Sequence, residues 1–346
     1  MGGNRMVLKE LTQLNGVSGD ESAVRSYILD KLNALGVGVR VDRIGNIIAT
    51  KAGRADAPRH VLFAAHMDEI GMIVTGIEDT GLLCYDTVGG IHSKVMVSKR
   101  VLIGKDAVPG IIGAKAIHLQ TPADRKALLP HKQLFIDIGA KDKADAEKLV
   151  SPGDYVYLDS PYETFGDGMV MSKALDDRIG CYNLLRILED SYEDTVTCAF
   201  TVREEIGTHG ARVLAHQIQP DCAIVLEATA ANDLGDVDEH LRVCTLGNGV
   251  AISFMDNASI AHPGLNLALR NVGDAENIPW QVKTFVSGGN DAGALQSGGG
   301  PVRVCVLSVP CRYIHSHSNV CALSDIEAQY QLARAFAKSS DWGMNP

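Results

Sequence analysis

Short hydrophobic runs without charge alternate along this chain with longer segments of helical periodicity. Three such runs are residues 60–65 (HVLFAA), 195–202 (TVTCAFTV) and 222–226 (CAIVL), although Arg203 follows the second directly. Uncharged runs of this length are typical of strands that are buried on both faces of a parallel sheet. Apolar residues at helical spacing predict helices in residues 6–14, 21–35, 177–190, 265–277 and 324–339. Ser18, three residues before Glu21, predicts a capping box at the start of the second helix.

Between residue 72 and about residue 165 the pattern changes to short alternating runs separated by Gly, Pro and Asp. Many short strands with turn residues between them indicate a small closed or sandwiched β domain. The α/β segments on either side each have too few strands to form a domain alone. We therefore predict an α/β fold: a doubly wound mixed sheet with helices on both faces (residues 1–71 and 166–346) and an inserted β-barrel-like domain (residues 72–165).

Composition narrows the class of protein further. The chain has 346 residues, of which 46% are hydrophobic, and its formal net charge of −10 argues against nucleic acid as a partner. The eight cysteines occur singly and never as CxxC, which favours reduced thiols and argues against a cysteine-based zinc site. The sequence contains neither a signal peptide nor an apolar run of 18 residues, so we expect a cytoplasmic protein that does not bind membranes.

Polar residues that bind metals in proteins occur where the predicted strands end. They are His66, Asp176, Glu204, Glu205, Glu227 and His315. Because the carboxyl ends of parallel strands meet at one edge of a sheet, we expect these side chains to converge. Nitrogen and oxygen ligands suit zinc, cobalt or manganese, and three ligand carboxylates with one hydroxide would balance the charge of two divalent ions. Asp68 follows His66 by two residues, so its carboxylate can reach the imidazole ring.

Structural alternatives exist for these residues when each is taken alone. His66 could be a core histidine, Asp176 a helix N-cap, Glu227 an exposed strand end and His315 a loop residue. Glu204 and Glu205 are adjacent, and in a regular strand adjacent side chains face opposite sides. Both can enter one site only if the chain has already left the pleat, which Gly207 makes plausible.

Six segments of the chain are similar to the motifs of one protein family. They are AHMDEIG (65–71), KALDDRIG (173–180), VREEIGTHGA (202–211), LEATAAND (226–233), SGGNDAG (287–293) and RYIHS (312–316). In this order they resemble the glutamyl-aminopeptidase-like family of binuclear metallopeptidases, which are also mislabelled as cellulase- or endoglucanase-like proteins. The resemblance covers nearly the whole chain, and it implies two divalent metal ions per subunit, zinc or cobalt.

The resemblance also implies a role for each matching residue. The implied ligands are His66 and Glu227 for one ion, Glu205 and His315 for the other, and Asp176 for both. Glu204 would be the general base, Asp68 would orient His66, and Asp291 and Gly289 would lie near the substrate. Asn290 and His317 stand where the family usually has Thr and Pro, so the side-chain preference stays open. The family resemblance further implies dimers that assemble into a dodecamer, with the inserted β domain as the oligomerisation contact.

The expected reaction is hydrolysis of the N-terminal peptide bond by a water that bridges the two ions, with Glu204 transferring its proton. Two alternatives remain. A carboxylate-pair glycoside hydrolase of endoglucanase type would need aromatic platforms for sugars, yet only 5% of the residues are aromatic. A non-catalytic metal-binding assembly protein would have no use for an unliganded Glu204.

Overall fold

A large mixed sheet organises most of the chain. The computed structural model describes residues 2–122 and 129–343. The strands are β1 Gly38–Val41, β2 Ile47–Lys51, β3 His60–His66, β4 Gly71–Ile77, β5 Leu83–Val88, β6 Arg100–Ile103, β7 Val108–Ala114, β8 Leu134–Asp137, β9 Tyr155–Leu158, β10 Glu163–Phe165, β11 Met169–Ser172, β12 Thr195–Thr201, β13 Cys222–Ala230, β14 Val250–Ser253, β15 Trp280–Lys283, β16 Arg303–Arg312 and β17 Asn319–Ala322. Within the described residues the large sheet has 11 strands in the order β1-β2-β12-β3-β13-β16-β17-β11-β10, with β14 paired to β16 and β15 paired to β14.

Helices cover both faces of this sheet: α1 Gly2–Gln13, α2 Ser22–Leu35, α4 Leu175–Ile187, α5 His209–Leu214, α6 Pro263–Ala275, α7 Asp291–Ser297 and α8 Leu323–Lys338. A further short helix, α3 Lys143–Ala146, lies in the inserted segment, where Ala146 packs in that segment's own apolar core. Alternate residues of β3 point to opposite sides, because Phe63 packs in the core with α2, α4 and α8, while Leu62 packs in the core with α5 and α7. The doubly wound α/β fold predicted from the uncharged runs is confirmed.

The central strands β12, β3, β13 and β16 run parallel, so their carboxyl ends meet at one edge. Thr201 at the end of β12 lies beside His66 at the end of β3, and Glu227 on β13 lies beside Ser308 on β16. In the described part of the chain, no helix is long and apolar enough to cross a membrane.

The inserted segment forms a closed barrel of strands in the order β4-β5-β8-β7-β6-β9, which confirms the predicted barrel-like domain. Its own apolar core includes Met72, Leu83, Val101 and Ile112. Strand β10, which ends at Phe165, pairs with β11 in the large sheet and not with the barrel. The boundaries at residues 71/72 and 165/166 therefore remain a prediction.

The predicted capping box of α2 is wrong. Glu21 occupies the N-cap position without a side-chain cap bond, and its carboxylate accepts a hydrogen bond from Gly19 N. The Ser18 hydroxyl donates instead to Asp68 Oδ2 at 2.6 Å. A local motif failed here because a buried carboxylate 50 residues away competes for the same hydroxyl.

Candidate metal centre

Adjacent Glu204 and Glu205 both reach the edge of the sheet because the chain leaves the pleat before them. Strand β12 ends at Thr201, and Arg203 adopts a left-handed φ of 55°. Asp68 then holds the turn, because its two carboxylate oxygens accept hydrogen bonds from the backbone N–H groups of Glu204 (2.9 Å) and Glu205 (3.1 Å). The objection that neighbouring residues on a strand face opposite ways therefore does not apply.

Asp176 lies between two histidines in the first turn of α4, where its backbone angles depart from helical values. Its Oδ1 lies 3.3 Å from His66 Nε2, and its Oδ2 lies 3.5 Å from His315 Nε2. Each histidine has one further carboxylate beside the same ring nitrogen: Glu227 at 3.9 Å from His66 and Glu205 at 3.5 Å from His315. The five side chains thus form two half-sites that share Asp176.

The opposite nitrogen of each imidazole is fixed by a main-chain carbonyl. His66 Nδ1 lies 2.9 Å from the carbonyl oxygen of Asp68 and 3.5 Å from its carboxylate. His315 Nδ1 lies 3.0 Å from the carbonyl oxygen of Gly90, in the barrel loop that follows β5. A hydrogen bond at Nδ1 leaves Nε2 free to bind a metal, which is the usual arrangement around metal-bound histidines. In this arrangement, the barrel domain orients the second histidine.

The spacing of these atoms fits divalent ions. Two ligand atoms about 2.0–2.2 Å from one tetrahedral ion lie about 3.3–3.6 Å from each other. The four distances from Nε2 to carboxylate oxygen, 3.3, 3.5, 3.5 and 3.9 Å, are close to this spacing and longer than typical N–H···O hydrogen bonds. Asp176 Oδ1 and Glu227 Oε1 are buried without a hydrogen-bond partner. A nitrogen and oxygen donor set of this kind suits zinc or cobalt.

The charges of the half-sites are not balanced by the protein. Burial raises the pKa of Glu227 and Glu204 well above the usual range, and it raises the pKa of Glu205 to about 7. The adjacent carboxylate of Asp176 raises the pKa of His315 to about 10. Burial lowers the pKa of His66, but its contacts with Asp176 and Asp68 outweigh burial and hold that pKa well above normal. Carboxylates crowded in this way favour a bound cation.

Asp177 is a buried acid of this cluster that the sequence reasoning missed. Together with His66 and Glu227 it forms one of the groups whose donor atoms are close enough to share an ion. Its oxygens already accept hydrogen bonds from His66 N (3.2 Å) and Gly180 N (3.0 Å), which ties β3 to α4. The pair of adjacent acids in KALDDRIG was the available signal.

Among the remaining predicted positions, Glu204 and Gly289 line a cavity of about 910 Å³ that opens onto the half-sites. Asp291 is buried outside this lining and accepts a 2.5 Å hydrogen bond from Thr201 Oγ1. The burial of Asp291 raises its pKa to about 6. His315 and His317 were both available as ligands by sequence, and His317 Nδ1 instead contacts the Ser318 hydroxyl at 2.9 Å.

A doubly wound sheet with an inserted barrel and a histidine–carboxylate cluster at its carboxyl edge defines the chain as a candidate metalloenzyme. The comparisons with known proteins identify the particular group. The chain belongs to the M42 glutamyl aminopeptidase family, whose profile matches residues 45–332. It is therefore a hydrolase, and the resemblance inferred from the six motifs is confirmed.

Three relatives illustrate the similarity. A solved TET aminopeptidase from the marine sediment archaeon Thaumarchaeota archaeon SCGC AB-539-E09 has a TM-score of 0.94 at 32% identity, covering 98% of this chain and 97% of that one. The solved Pyrococcus horikoshii TET1 peptidase has a TM-score of 0.86 at 33% identity, covering 97% of this chain and 100% of that one. That peptidase is described as able to assemble into a tetrahedron or a large octahedral shell. The glutamyl aminopeptidase of Lactococcus lactis subsp. cremoris is 29% identical, covering 96% of this chain and 95% of its own.

Proposed function

We propose that this protein is an aminopeptidase that removes N-terminal residues from peptides with two divalent ions, zinc or cobalt. His66 and Glu227 would hold one ion, Glu205 and His315 the other, and Asp176 would bridge them. The observation that supports this most directly is the position of Asp176, whose two carboxylate oxygens each face a different imidazole at 3.3 and 3.5 Å. A structural ion pair would need only one partner for that carboxylate.

Glu204 is the proposed general base. Bound at these residues, two divalent ions would supply an acidified water and polarise the scissile carbonyl. Glu204 would accept the proton of the attacking water and deliver it to the leaving amine nitrogen. Its backbone N–H is anchored by Asp68, and its side chain lines the cavity, so the carboxylate is positioned without itself being part of either half-site. Asp68 is therefore proposed to position both His66 and the Glu204–Glu205 turn.

Cleavage at the N-terminus follows from what this end of the cavity offers. Four carboxylates line the cavity at the half-sites: Asp176, Glu204, Glu205 and Glu227. The free α-amine of a peptide can pair with these carboxylates when it is protonated, and it can bind a metal ion when it is neutral. We propose that the α-amine binds here and that Gly289 provides space beside the substrate. Asp291 would act on the substrate only indirectly, by fixing Thr201 and the start of α7.

The glycoside hydrolase alternative loses support. No Phe, Tyr or Trp is among the residues that line the cavity in the described chain, so sugars would find no stacking surface. The non-catalytic alternative would leave Glu204, a cavity-lining carboxylate beside two half-sites, without a role. Both alternatives are tested by the substrate panel below.

We also propose that the protein acts as an oligomer in the cytoplasm. The support for assembly is the similarity to the TET1 peptidase together with apolar side chains exposed on the barrel domain, Ile111 and Leu149 among them. We propose the barrel as the contact and a dodecamer as the product. All eight cysteines are free thiols, which suits a reducing compartment.

The decisive experiment is a substrate panel with metal added back. Protein stripped with EDTA and reloaded with zinc or cobalt should release p-nitroaniline from aminoacyl-anilides but not from their N-acetylated counterparts. Carboxymethylcellulose serves as the glycosidase substrate. Cleavage of the acetylated anilides, or metal-independent release of sugar, would contradict an aminopeptidase.

Asp176→Asn tests the bridging role directly. Loss of one carboxylate charge between the two half-sites should weaken the binding of both ions, as measured by metal content after dialysis. Asp145→Asn in the exposed helix α3 is the control and should retain two ions per chain. An Asp176→Asn protein that also retains two ions would remove Asp176 as the bridge.

A further inference from the structure

Residues 89–91, the barrel loop after β5, pack against both side chains of one half-site. A Cβ built on Gly89, whose φ is 85°, would lie 3.4 Å from Glu205 Cβ. The carbonyl oxygen of the next residue, Gly90, lies 3.0 Å from His315 Nδ1. The other half-site is instead carried by β3 and β13 of the large sheet. The position of this loop therefore fixes Glu205 and His315 together.

His131 holds this loop from the barrel side. It begins the short turn His131–Gln133, which leads directly into strand β8 of the barrel. Its Nε2 lies 3.0 Å from the carbonyl oxygen of Ile91. Because a carbonyl oxygen only accepts hydrogen bonds, the imidazole is the donor in this contact. The carbonyl next to the one that meets His315 is thus tied to a barrel strand.

Tyr85 fixes the orientation of the His131 ring. The Tyr85 hydroxyl lies 3.3 Å from His131 Nδ1, which accepts its hydrogen bond, and the two rings pack edge to face with their centroids 5.9 Å apart. Tyr85 lies on β5, and its side chain shares the apolar core of the barrel with Ile91. Both ring nitrogens of His131 therefore have partners in the barrel, and these partners select the orientation in which Nε2 supports the loop.

We propose that His131 is a positioning residue of the candidate metal centre: it holds residues 89–91 so that the half-site of Glu205 and His315 keeps its affinity for a metal ion. This role rests on the proposed two-ion aminopeptidase. His131 is not among the residues that line the cavity in the described chain, so it acts through the loop and not on the substrate. Outer contacts that orient a ligand are worth about 10- to 100-fold in metal affinity. The half-site of His66 does not depend on this loop and should keep its affinity.

Calorimetric titration of the EDTA-stripped protein with zinc tests this role. His131→Phe keeps an aromatic ring against Tyr85 but removes the donor to the Ile91 carbonyl. The zinc affinity of one of the two sites should fall by about tenfold or more, and that of the other should change by less than about twofold. His131→Gln has an amide that can donate to the same carbonyl, so both of its affinities should stay within about threefold of the wild type.

A second readout separates positioning from damage to the fold. Because a weakened site is refilled by mass action, hydrolysis of an aminoacyl-anilide by His131→Phe should fall below the wild type at limiting zinc. At saturating zinc it should return to within about threefold of the wild type. Circular dichroism and thermal unfolding check that the variant folds. If it does not, His131→Asn takes its place, since its shorter amide stays near Tyr85 and does not reach Ile91.

A matched control and a double variant complete the design. His92 is exposed and directly follows Ile91, and its Nδ1 accepts a hydrogen bond from Lys94 N at 3.3 Å. His92→Phe should therefore leave both zinc affinities within about twofold of the wild type. Gly90→Ala acts on the same His315 contact as His131→Phe. The double variant should lose no more affinity than about the larger of the two single losses, because coupled residues are not additive.

The role of His131 and the proposed function fail in different ways. Unchanged zinc affinities in His131→Phe, an equal loss at both of its sites, or an equal loss in His92→Phe would overturn the role of His131 and leave the proposed function standing. Full additivity with Gly90→Ala, or turnover that saturating zinc does not restore, would overturn it as well. If the stripped wild type does not bind two ions, or the loaded wild type hydrolyses no unblocked anilide, the two-ion aminopeptidase is refuted and the role of His131 with it.

Discussion

Two clusters of buried charge lie close together in this protein and are built in opposite ways. The first is the candidate metal centre, formed by His66, Asp176, Glu205, Glu227 and His315. The second, which we call the basic cluster, consists of Glu69, Lys173 and Arg178, all at most 3% exposed. Both clusters use residues from the same two segments, 65–71 and 173–180. They differ in whether the protein itself satisfies every charge.

The basic cluster pairs its charges without any ion, although Arg178 Nη2, 3.5 Å from Glu69 Oε1, is buried without a hydrogen bond. Lys173 Nζ contacts the two oxygens of Glu69 at 2.7 and 3.0 Å and donates to the Leu14 carbonyl at 2.9 Å. Arg178 donates to the carbonyls of Met67 (2.7 Å) and Leu11 (2.6 Å). The metal centre instead has partnerless buried oxygens on Asp176 and Glu227. Neighbouring charges of one fold thus separate into a cluster for stability and a cluster for binding.

The largest effect should come from Glu204→Gln. Loss of the proposed base should lower kcat by about 10²- to 10⁴-fold, while both ions and the unfolding temperature stay unchanged. Steady-state kinetics on an aminoacyl-anilide, metal analysis and thermal unfolding measure the three quantities. If the variant keeps normal turnover, Glu204 has no part in proton transfer.

Glu69→Gln should show the opposite behaviour. It leaves Lys173 and Arg178 buried without their carboxylate, which should lower the free energy of unfolding by about 3–5 kcal/mol. The folded fraction should still bind two ions and turn over. Chemical denaturation measures the change, and Glu193→Gln is the control, since its partner Arg54 and Glu193 are both largely exposed. A change no larger than the control's would mean that the basic cluster does not stabilise the fold.

Removing the ions should destabilise the protein through the metal centre alone. An ion present at 100 times its dissociation constant adds about 2.7 kcal/mol to the free energy of unfolding. We expect this increment to be lost with EDTA and regained with zinc or cobalt, in the wild type and in Glu69→Gln alike. Denaturant titrations with and without EDTA measure it. Equal stability of the stripped and loaded protein would show that the crowded carboxylates need no cation.

One side of this contrast was accessible from sequence, whereas the basic cluster was not predicted. Uncharged runs located the buried strands, and the acids and histidines at their ends predicted the candidate metal centre, because parallel strands end at one edge. The sequence also indicated that Glu204 and Glu205 can enter one site only if the backbone leaves the pleated strand conformation before them. What the sequence could not supply was the turn at Arg203, since a positive φ in a residue other than glycine is imposed by Asp68 from another segment.

Long-range hydrogen bonds explain the other failures. Ser18 was assigned to a helix cap, but its hydroxyl donates to Asp68. Asp177 was passed over because its contact with His66 N, 111 residues away in sequence, exists only in the folded chain.

The smallest predicted effect separates the two halves of the metal centre. The His66 half lies within the large sheet, whereas the His315 half is completed by the Gly90 carbonyl of the barrel loop. A Cβ at Gly90 would lie 3.3 Å from His315 Nδ1, so Gly90→Ala must displace the imidazole slightly. Disturbing such a supporting contact should lower the affinity for one of the two ions by about 10- to 100-fold and leave the affinity for the other unchanged.

Calorimetric titration of the stripped protein with zinc should therefore resolve one normal and one weakened site in Gly90→Ala. Gly113→Ala is the matched control in the same barrel, because its Cβ would meet nothing closer than 3.9 Å. Two unchanged sites would show that the barrel does not orient His315. An equal loss of zinc affinity at both sites would mean that the two halves bind as one unit through Asp176. The barrel contact would then not distinguish the His315 half from the His66 half.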